Sequence, residues 1–248
     1  MATTAIIIAG GSGTRMGLEV PKQFHLVENK PILLYTLEAF QDHPSISSIG
    51  VVCIDGWHEI LQDYATRYGV TKLDWVISGG DSAQESIYLG VQRLQGHCKD
   101  DDVVMIHDGI RPLVDPAVVS DVLAVCHEHG NAVTSLPYNE QIFTIDPSDP
   151  NTTTHYVPRE TLRRVSTPQA YRYDLLASRY QEAFETGVGI GASSYANTMM
   201  VDLGVRLHFA AGSDKNIKLT TPDDLALFHA YVLGKTLPPT KVGNREDT

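Results

Sequence analysis

Residues 5–17 read AIIIAGGSGTRMG, an apolar run that passes directly into a glycine-rich turn. A short run without polar alternation is typical of a strand buried on both faces, as in a parallel sheet. Glycines let a backbone approach a polyanion and direct its N–H groups toward phosphate oxygens. The stretch therefore predicts a first strand that ends at a phosphate-binding turn. A tight turn without a ligand is the alternative.

The spacing within this turn excludes two common phosphate-binding fingerprints. A dinucleotide site requires Gly-x-Gly-x-x-Gly, but counting from Gly11 the third position is Met16. A P-loop requires Gly-Lys followed by Ser or Thr, which is absent. Arg15 is the informative residue, because a guanidinium inside the turn can grip phosphates and stabilise their charge.

The rest of the chain alternates between strand and helix patterns, which predicts an α/β fold with a mostly parallel sheet flanked by helices. Further strands are expected at residues 49–54, 75–78, 102–106, 132–136 and 206–209. Helices are expected at residues 32–40, 57–68, 83–94, 116–129 and 173–186.

Residues 138–165 depart from this alternation, with three prolines and short β-branched runs. Long structureless loops are uncommon in compact domains, so we predict a protruding hairpin, used in subunit contacts. A long surface loop is the alternative. Residues 1–237 are otherwise expected to form one domain, and residues 238–248 a frayed tail.

Composition excludes several classes of function. The net charge of −11 argues against a nucleic-acid binder, which would need a basic face. Three scattered cysteines suggest neither a disulfide framework nor a zinc site, so we expect a reducing, cytoplasmic location. The first apolar run is too short for a signal peptide or a membrane span.

Two further segments carry candidate phosphate-binding groups. Lys22 follows the turn closely enough for its ammonium to reach the same phosphates, although a lone lysine is usually only solvated. Gly80, Asp81 and Ser86 lie where a strand pattern passes into a helix pattern, which predicts a second set of backbone donors. An N-cap role for Ser82 or Asp81 is the alternative.

The sequence HDGIRP at residues 107–112 follows another predicted strand. Asp108 would then lie where open α/β sheets bind ligands, and it can hold Mg²⁺ together with substrate phosphates. Arg111 alternatively pairs with Asp108. We expect His107 to be structural, since phosphoryl transfer needs little proton chemistry from the protein. Lys218, just before a helix start at Thr221, is expected to point into the same cleft.

These segments, in this order, resemble the cytidylyltransferases that act on 2-C-methyl-D-erythritol 4-phosphate and on D-ribitol 5-phosphate. The resemblance runs from about Ala5 to Asp224. It rests on the turn ending TRMG and on PKQF, HDxxRP, TPQ and NIK at residues 21–24, 107–112, 167–169 and 216–218. It implies a Rossmann-like nucleotidyltransferase fold and a homodimer with an exchanged β-arm.

The resemblance also implies roles for individual residues. Arg15, Lys22 and Lys218 would surround the phosphates of CTP, with Asp108 beside a magnesium ion. Residues implied to bind the nucleotide are Ala9, Gly10, Gly11, Ser12, Gly13, Thr14, Gly80, Asp81 and Ser86. Residues implied to bind the acceptor are Arg111, Gln141 and Arg159, the last of which would reach the neighbouring subunit's acceptor phosphate.

Three positions depart from the family pattern. Ala83 stands where the family usually carries arginine, Glu140-Gln141 replaces an Asp-Thr pair, and Ser194-Tyr195 replaces a Thr-Asp pair. The last two would lie near the acceptor. We therefore expect a polyol phosphate such as D-ribitol 5-phosphate, with methylerythritol phosphate and other pentitol or glycerol phosphates as alternatives.

Two rival functions remain at this point. A short-chain dehydrogenase would explain the glycine turn and a Tyr68-x-x-x-Lys72 pair, but Gly69 and Val70 interrupt that stretch. A module that binds CTP without turnover would leave Lys218 and Arg159 without a role.

Overall fold

The computed structural model describes residues 1–11, 20–191 and 195–234. The opening apolar run forms β1 (Thr3–Ala9), at the centre of a seven-stranded sheet. The other strands of this sheet are β4 (Ser48–Cys53), β5 (Leu73–Ser78), β6 (Val103–Asp108), β7 (Asn131–Pro137), β10 (Arg163–Arg172) and β11 (Phe209–Ala211). Two small antiparallel ribbons pair β2 (Leu26–Val27) with β3 (Lys30–Pro31), and β8 (Ile142–Thr144) with β9 (His155–Val157).

The strand order is β5-β4-β1-β6-β10-β7-β11, and only β10 runs antiparallel to its neighbours. From β1 the chain adds β4 and β5 on one side and then returns to place β6 on the other side. The carboxyl ends of β1 and β6 therefore flank the switch point, where open α/β sheets bind ligands. The register sets Ile8 opposite Asp108 at this edge.

Helices cover both faces of the sheet. They are α1 (Ile32–Gln41), α2 (His58–Arg67), α3 (Ala83–Arg93), α4 (Pro116–His129), α5 (Tyr173–Thr186), α6 (Ala196–Asp202) and α7 (Pro222–Gly234). Successive side chains of β1 enter opposite cores, since Ile7 packs with α1, α2 and α4, whereas Ile6 packs with α3, α5 and α6. None of the helices within the described ranges is both long and apolar enough to cross a bilayer.

Most of the predicted elements are confirmed, and α4 and α5 match residue for residue. One predicted strand is misplaced and one strand was missed. The last strand begins only at Phe209 rather than at residue 206. The strand β10 was not predicted, and its first three residues had been assigned to the protruding segment. Pro168 cannot donate to a ladder and lies within a register shift, so this segment lacks a strand pattern.

Residues 138–165, called the arm below, contain the ribbon of β8 and β9, so the hairpin interpretation holds rather than the loop. Its large apolar side chains are mostly exposed, with Phe143 at 57%, Ile145 at 68% and Tyr156 at 65%. The subunit contact stays a prediction. The predicted tail at residues 238–248 lies outside the described residues.

Candidate active site

Two adjoining cavities open at the carboxyl ends of the central strands. The first cavity, of about 460 Å³, lies against the glycine turn and the start of α3. The second cavity, of about 370 Å³, lies against β10 and the start of α6. Both are lined by Ile8, Ala83, Asp108 and Lys218. This shared boundary makes the pair a candidate site for joining two substrates.

The first cavity brings together most of the predicted nucleotide-binding residues. These residues, drawn from four separate parts of the chain, are Ala9, Gly10, Gly11, Lys22, Gly80, Asp81, Ser86, Asp108 and Lys218. The remaining four predictions for this region, Ser12, Gly13, Thr14 and Arg15, lie outside the described residues.

The hydroxyl of Ser86 lies beside this cavity, where Gly79 and Gly80 come close to Gly10. Its Oγ accepts the N–H of Gly80 at 3.1 Å. A Cβ on Gly79 would stand 2.9 Å from that Oγ and 3.5 Å from the Cα of Gly10. Only glycine at position 79 permits this approach. The N-cap alternative for Ser82 is also confirmed, because its Oγ accepts the N–H of Glu85 at 3.0 Å.

Gln23 fixes Lys22 against the glycine turn. Its fully buried amide donates to the carbonyls of Ala9 and Gly11, at 2.6 and 3.0 Å. The next residue, Phe24, stacks on Trp57 with ring centroids 4.5 Å apart. The 3₁₀ turn Lys22–Phe24 is therefore anchored on both sides. Sequence reasoning quoted Gln23 within PKQF but gave it no role.

Asp108 holds two cations at the boundary between the cavities. Arg111 donates from Nε to Oδ2 at 2.9 Å, and Nζ of Lys218 lies 3.2 Å from the same oxygen. Burial raises the pKa of Asp108, but Lys218 and Arg111 outweigh it and hold the pKa below its usual value. Asp108 is therefore ionised at neutral pH. The predicted pairing of Arg111 with Asp108 is present.

His107 is fully buried and serves the local structure. Its Nε2 lies 3.1 Å from the carbonyl of Arg111. Burial is the main cause that lowers its pKa, to about 4. The imidazole is therefore neutral in the physiological range and lines neither cavity. This agrees with the structural role expected from the sequence.

The donor set suits magnesium only when substrate oxygens complete the coordination. Within the part of the chain that the structure describes, no group of three or more His, Cys, Asp or Glu side chains could hold a metal. Asp81 and Asp108 are the only described carboxylates that line either cavity. Mg²⁺ commonly binds through one or two carboxylates, waters and substrate phosphates. The site fits such an ion and does not fit a protein-only metal cage.

The predicted arm residues lie apart from both cavities of the same chain. Arg159 and Gln141 are exposed, and Nη1 of Arg159 donates to the carbonyl of Asn139 at 3.3 Å. Their action on a neighbouring subunit stays a prediction. The dehydrogenase pair is also remote, since Tyr68 and Lys72 bond to the backbone elsewhere and line neither cavity.

A largely parallel sheet, with a glycine turn and facing cations at its switch point, defines an α/β protein of the nucleotidyltransferase type. A comparison with protein families narrows the class. Residues 3–234 match the model described as IspD: 2-C-methyl-D-erythritol 4-phosphate cytidylyltransferase, and the chain belongs to this family of enzymes.

Individual relatives carry two different names. A ribitol-5-phosphate cytidylyltransferase from Lacticaseibacillus paracasei is 58% identical over 94% of this chain and 99% of its own. A 2-C-methyl-D-erythritol 4-phosphate cytidylyltransferase from Geotalea uraniireducens is 32% identical over 94% and 97%. Among solved structures, a 4-diphosphocytidyl-2C-methyl-D-erythritol synthase from Anaerococcus prevotii superposes with a TM-score of 0.79 at 19% identity, covering 94% and 96%. That likeness confirms the fold.

Proposed function

We propose that this enzyme transfers CMP from CTP to D-ribitol 5-phosphate and releases pyrophosphate. The observation that carries the proposal is the shared boundary of two cavities, where Lys218 and Asp108 face both. The 58% identity to a ribitol-5-phosphate cytidylyltransferase supports this acceptor over methylerythritol phosphate, since three relatives named for methylerythritol phosphate are 32–34% identical.

In the proposed complex, CTP occupies the first cavity and the acceptor occupies the second. The backbone donors of the glycine turn suit phosphate and ribose oxygens, and Gly80 lines the same cavity with its N–H already bonded to Ser86. Lys22 and Lys218 supply positive charge on either side of the α-phosphate. In the second cavity, Arg111 and Lys218 offer a cationic end for the acceptor phosphate. The two phosphates would then meet at the shared boundary.

The proposed step is an in-line displacement at the α-phosphorus of CTP. An oxygen of the acceptor phosphate forms the new P–O bond, and the bond to the β-phosphate oxygen breaks, so that pyrophosphate carries away the electron pair. The lysines stabilise the charge that builds on the transferred group and on pyrophosphate. Holding both substrates in line provides much of the rate. A neutral, buried His107 agrees with a step that needs no protein base.

We propose Mg²⁺ as the cofactor, with Asp108 as its protein ligand. The chemistry that the ion supplies is neutralisation of the triphosphate and orientation of its α-phosphate. Asp108 fits because it stays ionised and because it lies in the lining of both cavities.

We also propose a homodimer in which the arm of one subunit completes the second cavity of the other. The exposed side chains of Phe143, Ile145 and Tyr156 on the arm support this, since large exposed apolar groups are typical of a contact site. Arg159 and Gln141 would then reach the partner's acceptor. Three free cysteines and the use of CTP favour a cytoplasmic location.

The test is pyrophosphate release with CTP and Mg²⁺ over a panel of acceptors. We expect D-ribitol 5-phosphate to give the highest kcat/KM, ahead of methylerythritol phosphate and glycerol phosphate, and ATP, GTP and UTP to replace CTP poorly. A preference for methylerythritol phosphate would contradict the proposed acceptor and favour 2-C-methyl-D-erythritol 4-phosphate cytidylyltransferase activity. Binding of CTP without turnover of any acceptor would favour the non-catalytic module.

A further inference from the structure

Neutral polar side chains form much of the second cavity's wall. Charged side chains in its described lining are confined to Asp108, Arg111 and Lys218, which cluster where the cavities meet. The neutral polar residues of the lining are Gln84, Ser166, Thr167, Gln169, Tyr195, Asn197 and Thr198. Such a cavity suits a phosphate attached to a neutral chain that carries hydroxyl groups.

Some of these polar groups are already used by the fold. The amide of Gln84 donates to the carbonyl of Gly189 and accepts from the hydroxyl of Tyr180, both at 2.9 Å. The hydroxyl of Thr198 accepts from the N–H of Tyr195 and donates to its carbonyl, at 2.8 and 3.0 Å. Because these hydrogen bonds already use most of their donors and acceptors, Gln84 and Thr198 are poorly suited to recognise a ligand.

Asn197 has a donor to spare. It is 7% exposed, and its Oδ1 accepts the N–H of Thr198 at 3.0 Å, within the first turn of α6. That bond fixes which end of the amide is oxygen. In the described part of the chain, Nδ2 makes no hydrogen bond. Nδ2 is not among the fully buried atoms that lack a partner, so it reaches solvent in the open cavity, where an oxygen of a ligand can take the place of water.

Gln169 repeats the arrangement from a different element, β10. It is 5% exposed, and its Oε1 accepts from the hydroxyl of Tyr171 at 2.8 Å. Among residues with described positions, no acceptor bonds its Nε2. Two nearly buried amides of the same cavity therefore each have the acceptor oxygen occupied and the donor nitrogen available.

We propose that Nδ2 of Asn197 and Nε2 of Gln169 donate to hydroxyl oxygens on the carbon chain of the acceptor and thereby determine acceptor selectivity. This inference rests on the proposed cytidylyl transfer. The phosphate end supplies affinity for any phosphorylated polyol, whereas the amides favour a chain long enough to place hydroxyls beside both. A site built to bond substrate hydroxyls discriminates strongly against analogues that lack them.

The experiment uses the full chain and begins with the wild-type protein. The KM for D-ribitol 5-phosphate and the KM for CTP are measured, with sn-glycerol 3-phosphate as a competitor that occupies the phosphate end. If wild type turns over no polyol phosphate, the proposed function fails, and this inference fails with it. Turnover of D-ribitol 5-phosphate upholds the function and leaves the variants to decide the inference.

Asn197→Ala and Gln169→Ala are each expected to raise the KM for D-ribitol 5-phosphate on the order of tenfold, the loss of one buried hydrogen bond. The KM for CTP and the inhibition constant of sn-glycerol 3-phosphate should stay near wild type. Because these constants do not depend on the folded fraction, moderate loss of stability does not affect them.

Two further variants test whether the raised KM comes from the loss of the NH₂ group. Asn197→Ser keeps an oxygen that can accept the N–H of Thr198 but has no NH₂ group, so it should reproduce the raised KM in a stable protein. Gln181→Ala removes an exposed amide that bonds to Glu185 and lines neither cavity, so it should leave the KM unchanged. An equal rise in the KM and the inhibition constant, or no rise in either amide variant, would overturn the proposal.

Discussion

The first cavity is walled largely by backbone and cations, whereas the second cavity is walled largely by neutral side chains. In the first, Gly10, Gly11 and Gly80 contribute backbone to the wall, and Lys22 adds charge. In the second, amides and hydroxyls from β10 and α6 surround a single charged cluster. The difference matches two tasks, since a triphosphate is held by charge and backbone, while a polyol is distinguished by its hydroxyl pattern.

The difference between the cavities implies that different residues control the rate of transfer and the choice of acceptor. Charge stabilisation during displacement depends on groups at or beside the shared boundary, and their loss should affect every acceptor alike. Groups remote from that boundary in the second cavity should affect some acceptors and spare CTP.

Lys22→Ala should give the largest effect, because it removes a cation from the first cavity. We expect kcat to fall on the order of a hundredfold or more, by analogy with the loss of other transition-state donors. The loss should be the same for ribitol and glycerol acceptors, measured by pyrophosphate release.

Lys30→Ala is the matched control for that variant. Lys30 pairs with Glu38 at 2.6 Å and lines neither cavity, so its removal should leave kcat near wild type. Thermal melting of both variants checks that the fold is intact. A near-wild-type rate for Lys22→Ala would remove this lysine from the mechanism.

The first cavity could be predicted from the sequence because its parts lie in short contiguous motifs. The apolar run before Gly10, the PKQF segment around Lys22 and the strand before Asp108 each carry a local signal. Parallel strands then bring their carboxyl ends to one edge without further information. Arg15 was predicted on the same reasoning and lies outside the described residues.

The second cavity could not be predicted in the same way. Its wall depends on β10, whose strand pattern Pro168 interrupts, and on the start of α6, which follows no recognised motif. Asn197 and Gln169 gain their significance from which end of each amide is already bonded, and that is a tertiary property. The departures from the family pattern at Glu140-Gln141 and Ser194-Tyr195 indicated that the acceptor side differs. They did not indicate which groups would bind the acceptor.

Gln23→Ala should give an intermediate effect confined to the nucleotide side. The variant loses two hydrogen bonds that hold the glycine turn beside Lys22, at Ala9 and Gly11. Net losses of about 1 kcal/mol per bond predict a KM for CTP raised roughly tenfold or more, with the acceptor KM little changed. Gln41→Ala, which removes an amide bonded to Thr71 and Lys72 away from both cavities, serves as the control. Equal changes in both KM values would contradict the separation of the two halves.

The smallest effect on turnover should come from His107, which is buried next to Asp108, lines neither cavity and contributes to stability instead. Because burial lowers its folded pKa to about 4, the unfolded chain binds a proton at this position between about pH 6.5 and 4, whereas the folded chain does not. The stabilisation is therefore fully present above pH 6.5 and is lost as pH falls toward 4, by as much as about 3 kcal/mol. Urea unfolding at pH 7 and at pH 4.5 should give a smaller difference for His107→Gln than for wild type.

Exposed His127 provides the matched variant for that comparison, and His127→Gln should keep the wild-type pH dependence. Burial also lowers the pKa of His43, so part of the pH dependence of the unfolding free energy remains in wild type and in both variants. For turnover, a neutral His107 predicts no titration between pH 6 and 8 that the His107→Gln variant abolishes. A group with a pKa near 6.5 that disappears from the rate profile with this substitution would make His107 a proton carrier. The reaction would then depend on a general base in addition to the charge cluster at the shared boundary. Loss of that base should slow transfer to every acceptor, as loss of a boundary cation does.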